Sequence, residues 1–582
     1  MEDTAPQIPI GLVEAVLNTP QGAGLMAGGD THLPALHFVG EVVPFTQDVQ
    51  WIKEIAAGYL PSNYAGNTLD EIPKMVSDSV KKGYDAPSKG RGRSDGPSAA
   101  QLATMIISTS EMAIFHTPQG LAYVAITTPD GGTICHPVRS EAMKGWVRLR
   151  YYLATGKTLG RDALTEALDL LEAKAVYTAP EDNVYLRLGG RDGNIYFDLG
   201  QADGAQVKIT PTGWSIVLDG LPRFHRPNGF GMQVRPERSG NLLELRDLLQ
   251  LDDKNWVLVL AFLLISLKPA HPYMVLLLSG GHGSGKSKIS ELVKRIIDPN
   301  ALEKFRLPKD EHTLAIQAAM AWMLVYDNTS AVRWDLSDAI CAMLTGGGFS
   351  TRKYYTDDEQ RMFKNARPAI INGIGEFASQ HDLLDRAIAI KLPPMPAGTR
   401  LTEKAINARF EAILPGVLGS LFDIVSVALR RFDEVEPPTT VRMADAAQWL
   451  IAAEPATGLP EGTFLRALEA SVKEVTIENT INHPLVLALF RLLDTLGPGR
   501  TYEGTMGDLH DKLRNEHGRL DPQLPQTASH LSNALQRLAH GMAEIGLKVE
   551  LLNRTNSARP LRIWIEPTEH TPEPDKIKKR LW

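Results

Sequence analysis

The chain has 582 residues, 43% of them hydrophobic and 22% charged, with a formal net charge of -7. That length holds three or four domains, and the composition is that of folded globular protein rather than a disordered or fibrous chain. The acidic balance excludes a uniformly basic nucleic-acid coat but not a local basic lining. Two cysteines, Cys135 and Cys341, exclude a cysteine-rich zinc module and a disulfide framework, and suit a reducing, cytoplasmic setting.

The chain begins Met1-Glu2-Asp3, without the basic and apolar segments of a secretory signal. Residues 1–80 are weakly patterned. Residues 81–99 are rich in Lys, Arg, Gly, Ser and Pro and read as a flexible linker; Lys81, Lys82, Lys89, Arg91 and Arg93 are either solvated or available to phosphates. Residues 100–240 read as an α+β accessory domain. It has a helical stretch around Leu164–Ala175 and a hairpin turn at Arg191-Asp192-Gly193-Asn194, and no catalytic constellation, that of a primase included. The apolar run Trp256–Leu267 is short of the roughly 20 residues of a spanning helix, so it is expected to be a buried helix and no membrane is expected as partner.

Residues 241–395 alternate helices with short apolar runs, the pattern of a parallel sheet flanked by helices. Here the apolar strand Met274–Leu278 runs into Gly280-Gly281-His282-Gly283-Ser284-Gly285-Lys286-Ser287 and then a helix, which is a P-loop in its required context. Glycines let backbone N–H groups turn inward around phosphate oxygens; Lys286 reaches the β/γ-phosphates of ATP and Ser287 ligates Mg²⁺. The run Trp322–Tyr326 ends at Asp327, a strand-tip carboxylate placed to hold Mg²⁺ as a Walker B residue. A third strand, Pro368–Ile371, ends at Asn372, a candidate to orient the attacking water. Arg386, in Leu384-Asp385-Arg386 ahead of the strand-like Ala387–Leu392, is either a surface residue paired with Asp382 or Asp385, or a group that projects onto a neighbouring subunit's nucleotide.

Between Asp327 and Asn372, two short strands are expected around Thr356-Asp357-Asp358-Glu359. Arg352, Lys353, Arg361, Lys364 and Arg367 are interleaved with Tyr354, Tyr355 and Phe363, which suits a channel gripping single-stranded DNA, or an ordinary exposed hairpin. Residues 396–481 read as helical. Residues 482–566 run helix, helix, helix, strand, strand, at His483–Leu496, Met506–Glu516, Thr527–Ile545, Leu547–Leu552 and Leu561–Ile565, a winged helix in outline. Its third helix, with His530, Asn533, Gln536, Arg537 and His540, suits a DNA contact or a protein contact. Residues 567–582 form a tail.

The order strand, P-loop, helix, strand-Asp, basic hairpin, strand-Asn, Leu384-Asp385-Arg386 resembles motifs A, B, B′ and C of the superfamily 3 helicases, a branch of the AAA+ ATPases, over about residues 274–394. The flanks resemble helicase-like ATPases of phages and integrated elements. The resemblance implies an α/β, AAA+-like P-loop ATPase core with an N-terminal α+β domain and a C-terminal winged-helix domain. It further implies a homo-oligomeric ring, a hexamer, translocating on DNA during replication of a phage or mobile element, with Arg386 acting between subunits and Lys353 in the channel. The sequence departs from the family at Asn328, where a second acidic residue is usual, which leaves the general base open between Glu376, just beyond the sensor strand, Asp327 and an unrecognised residue. That departure favours a second reading, an initiator or loader that uses ATP as an assembly switch. A P-loop kinase or other phosphotransferase is a third.

Overall fold

The computed structural model describes residues 35, 38–39, 49–60, 66–81, 98–107, 112–218, 220–347, 349–352, 360–363, 365–374, 377–378, 380–395, 398, 400–496, 501–516, 524–552 and 560–572. The chain divides into two compact units, residues 1–185, 202–204 and 218–226 forming one and residues 186–201, 205–217 and 227–582 the other. Of the linker's basic residues, Lys81 ends the helix Thr68–Lys81; Lys82, Lys89, Arg91 and Arg93 lie outside the described residues.

In the first unit an antiparallel sheet of Met112–His116, Ala122–Thr127 and Thr133–Pro137 carries the helices Glu141–Thr155 and Arg161–Tyr177. Alternation places Val124 in the core under these helices and Ala125 with Cys135 in a small buried cluster on the other face. The helix Glu141–Thr155 starts where the Ser140 side chain accepts from the Met143 N–H and stops at Gly156, φ 65°.

The second unit begins with a four-stranded antiparallel sheet, Leu188–Arg191, Asn194–Asp198, Gln206–Thr210 and Gly213–Val217. Arg191 pairs with Asn194 across the expected turn, where Asp192 and Gly193 both have positive φ. These strands go with the segment that holds Gly280–Ser287 and not with residues 112–185. Alternation in the sequence shows that one face is buried, but not what covers it. The cover is the helix Glu403–Arg431: the Phe422 ring lies 5.4 Å from Phe197 and 6.1 Å from Trp214, and Ser426 donates to the Thr210 carbonyl at 2.6 Å. This helix is long and apolar enough to cross a membrane by length and composition, and its apolar residues from Phe410 to Ala428 are largely buried in the unit. The run Trp256–Leu267 forms the helix Asp253–Ser266, buried from Asn255 onward.

Four parallel strands form the centre, in the order Leu324–Thr329, Ala369–Gly373, Val275–Gly280, Ala387–Leu392. Their apolar runs are buried on both faces, as a helix-flanked parallel sheet requires. Phe305 extends the edge by one bridge to Tyr326. The antiparallel pair Phe349–Arg352 and Gln360–Phe363 follows. Arg352 and Arg361 stand on these two strands, whereas Lys353 and Lys364 lie outside the described residues.

Residues 485–565 have their own apolar core, in which Leu489, Leu509, Leu535 and Ile563 are buried. Helices Pro484–Thr495, Met506–Glu516 and Ala528–Glu544 are joined by a sheet of Thr501–Thr505, Pro560–Ile565 and Leu547–Leu551 in that order. The strand Thr501–Thr505 is additional to the sequence reading. Only Tyr502 among its residues is buried, so it carries almost no apolar signal.

Candidate nucleotide site

The loop Gly280–Ser287 joins the central strand Val275–Gly280 to the helix Lys286–Ile297. Gly280, Gly283 and Gly285 have φ of 155°, 72° and 86°, so three residues of this short turn need the freedom that only glycine has. Gly285 caps the helix with no side-chain hydrogen bond, which leaves the first-turn N–H groups to whatever sits in the loop. Lys286 folds back into this cradle, donating to the carbonyls of Gly280 and Gly281, each at 2.8 Å, and to Ser284 Oγ at 3.3 Å. Burial lowers the Lys286 pKa, with Asp327 opposing. His282 is exposed at the rim.

Asp327 comes to the loop from the tip of Leu324–Thr329. Ser287 Oγ donates to its Oδ1 at 2.8 Å, so the hydroxyl and carboxylate expected to share Mg²⁺ are in contact. Among the described residues no group of three or more His, Cys, Asp or Glu could hold a metal alone. A hard cation here would take Ser287, Asp327 and oxygens of a bound phosphate.

The residues around Asp327 fix its tip. The Asp327 N–H donates to the Phe305 carbonyl at 3.1 Å. Asn328 stands in the left-handed region at φ 56°, and its N–H donates to Asn372 Oδ1 at 2.9 Å. Asn372, 1% exposed, donates through Nδ2 to Ser290 Oγ at 3.0 Å, and Ser290 donates to the Lys286 carbonyl at 2.9 Å. Both ends of the Asn372 amide are thus used inside the protein, tying the Asp327 tip to the loop helix. Glu376 lies outside the described residues.

Arg386 is at the other end of the sheet. Its carbonyl accepts from the Val275 N–H at 3.0 Å, at the start of the strand whose far end is the loop, roughly 17 Å along by strand rise. Its guanidinium donates to the Asp382 carbonyl at 2.6 Å and stands 3.7 Å from the Asp382 carboxylate. Arg442 makes the firmer contacts there, 2.7 Å to Asp382 and 3.2 Å to Asp385. The sequence gives no sign of Arg442, because the helical segment that brings it is remote in the chain. Arg400 was missed for the same reason; its Nη2 lies 3.5 Å from the Gly283 carbonyl.

Residues 241–476 match the family model of the actinomycete integrative conjugative element replication protein. Residues 485–573 match the C-terminal domain of the RepA protein of such elements. No curated protein matches the chain. Among solved structures the chain is similar to the apo C-terminal region of NrS-1, with 12% identity and a TM-score of 0.36, over 80% of this chain and 99% of that one. It is also similar to a full-length MCM homolog from Methanopyrus kandleri, with 13% identity and a TM-score of 0.25, over 59% and 90%. For the JCV helicase the identity is 13% and the TM-score 0.19, over 40% and 72%. The candidate nucleotide site and the C-terminal sheet therefore both lie in segments that match the replication protein of an actinomycete integrative conjugative element.

Proposed function

We propose that the chain is an ATP-hydrolysing, AAA+-like motor that opens or translocates on DNA during replication of an integrative conjugative element. One observation carries the proposal: the glycine cradle closed on Lys286, with Ser287 and Asp327 in hydrogen-bond contact beside it. Loop amides and Lys286 would hold the β/γ-phosphates, and Ser287 and Asp327 would hold Mg²⁺, which when bound neutralises charge on the transferring phosphoryl group. Water then displaces ADP from the γ-phosphorus. Asn372 positions Asp327 for this rather than touching the phosphates.

Arg386 lies a strand's length from its own loop, which supports a role on the nucleotide of an adjoining subunit in a homo-oligomeric ring. The basic hairpin with Arg352, Lys353, Arg361 and Lys364 is the proposed DNA-gripping element, and residues 485–565 form the proposed winged helix. The alternative, an initiator or loader that switches on ATP with little unwinding, is favoured by the single carboxylate at Asp327-Asn328.

Lys286→Ala tests the reading. It removes the charge that the phosphates need, so ATP turnover should fall by a hundredfold or more with the circular dichroism spectrum unchanged. Turnover at the parent rate would refute the site. Strand separation on forked DNA by the parent decides for the motor, and DNA-bound assembly without separation decides for the switch.

A further inference from the structure

We propose that the first unit carries a self-pairing surface: two copies of this chain join through the helices Glu141–Thr155 and Arg161–Tyr177, each helix of one copy lying on the other helix of its partner. The buried stripes of these helices, Met143, Val147 and Tyr151 on one and Leu164, Leu168 and Leu171 on the other, belong to a single core over the sheet. A helix in such a layer is expected to turn a polar stripe to water. Glu141–Thr155 does not. On the side opposite Val147 it presents Gly145, Leu149, Tyr152 and Leu153, with half-buried Trp146 at the edge, and Leu149, Tyr152 and Leu153 are each more than half exposed. An outer stripe as apolar as the inner one is the pattern of a helix that is covered on both sides.

Charge identifies the occupant. The stripe is edged by exposed Arg148 and by Arg150, which stacks on the Trp146 ring at 5.2 Å, while the only acid of this helix, Glu141, is held by Lys144 at 2.7 Å. The outer stripe of Arg161–Tyr177 is the reverse. There Asp162, Glu166 and Asp169, the last also met by Arg139, stand beside Leu170, 46% exposed, and Tyr177, 83% exposed. One helix thus offers apolar surface edged with cations and the other offers apolar surface edged with anions, both facing away from the same core. A two-fold axis sets the first against the second in both directions, so that every contact is made twice. Helix on identical helix would instead oppose Arg148 and Arg150 to their own copies, and a nucleic acid drawn to the arginines would meet the acids of the neighbouring helix. Trp, Tyr and Arg are the residues in which such interfaces concentrate their binding energy. No residue of the nucleotide site takes part, so the pairing stands independently of that reading.

The test is sedimentation velocity of the full chain over a range of concentrations, free of nucleotide and DNA so that assembly driven by ATP does not enter. The parent should show a monomer–dimer equilibrium, and Leu149→Gln together with Leu153→Gln should raise its Kd roughly tenfold or more. Two charge reversals, Arg148→Glu with Arg150→Glu in one chain and Asp162→Lys with Glu166→Lys in another, should each weaken pairing to the same degree. An equimolar mixture of the two reversed chains should recover the parent Kd within a few-fold, because each helix then meets the opposite charge on the other chain. Monomers at every concentration, or a dimer that all these substitutions leave unchanged, would overturn the proposal. So would a mixture that does not recover although each variant melts as the parent does. Loss of single-stranded DNA binding in the Arg148→Glu, Arg150→Glu chain with its dimer intact would assign the stripe to nucleic acid and overturn it as well.

Discussion

At Asn328 the backbone stands in the left-handed region, φ 56°. Few residues tolerate φ 56°; Gly does, and Asn does because its short amide bonds locally, whereas most side chains cost roughly 1–2 kcal/mol there. Asn372 holds that conformation through the Asn328 N–H. Asn328→Glu, which supplies the usual second acid, is therefore expected to destabilise the chain by about 1 kcal/mol and to leave turnover unchanged, whereas Asn328→Gly should be tolerated. Urea denaturation and ATP turnover check both, and a tenfold rise in rate for Asn328→Glu would contradict the account. Gly280–Ser287 and Asp327 were legible in the sequence because motif, strand and helix agree locally. Asn372 was legible as a strand-tip residue, but not its bonds to Asn328 and Ser290, which depend on how three separate elements meet.

Among the elements, the pair Phe349–Arg352 and Gln360–Phe363 carries the DNA-gripping proposal. Replacing Arg352 and Lys353 together by Ala should weaken single-stranded DNA binding and stop unwinding while sparing DNA-independent ATP turnover. Two lost phosphate contacts should change the log–log salt slope of binding by roughly 1 to 1.5. Titration of a labelled single strand at several salt concentrations reads this, and an unchanged slope with unwinding intact would move DNA handling to the C-terminal helices and sheet. There, Met506–Glu516 was readable from apolar spacing, and the expected Thr527–Ile545 and Leu547–Leu552 differ from the observed Ala528–Glu544 and Leu547–Leu551 by single residues at their ends. The strand Thr501–Thr505 was not, because a short edge segment with one buried side chain leaves no periodicity.

Across the second unit, the antiparallel sheet and the central parallel sheet share a fully buried ionic cluster. Arg187 Nε lies 3.3 Å from Asp298 Oδ1, and its other nitrogens donate to the carbonyls of Asp198, Gly231 and Pro299. Asp298 Oδ2 accepts from Lys294 at 3.2 Å and from the N–H groups of Trp322 and Met323. Burial works against the Asp298 charge, yet Lys294 and Arg187 outweigh it and hold the carboxyl below its ordinary value of 3.8. Its stabilisation is thus present above that pH and is lost as pH falls through the lower folded value. Asp298→Asn removes the buried negative charge that faces Arg187 and Lys294 and is expected to cost about 3–5 kcal/mol. In urea denaturation the gap between parent and variant should be widest near pH 7 and shrink progressively as pH falls below 3.8, and a gap that stays constant with pH would contradict the assignment.

The cover that Phe197 and Trp214 give to Phe422 bears on inheritance as well as stability. The recognised family segment opens at residue 241, after the strands that shield the long helix have already been made. A gene fragment cut at that boundary would encode Gly280–Ser287 and Asp327 intact, yet deliver them on a protein with an oily flank and Asp298 stripped of Arg187. A fragment that keeps the long helix covered is therefore longer than the segment that matches the family model, because it needs the strands of residues 188–217.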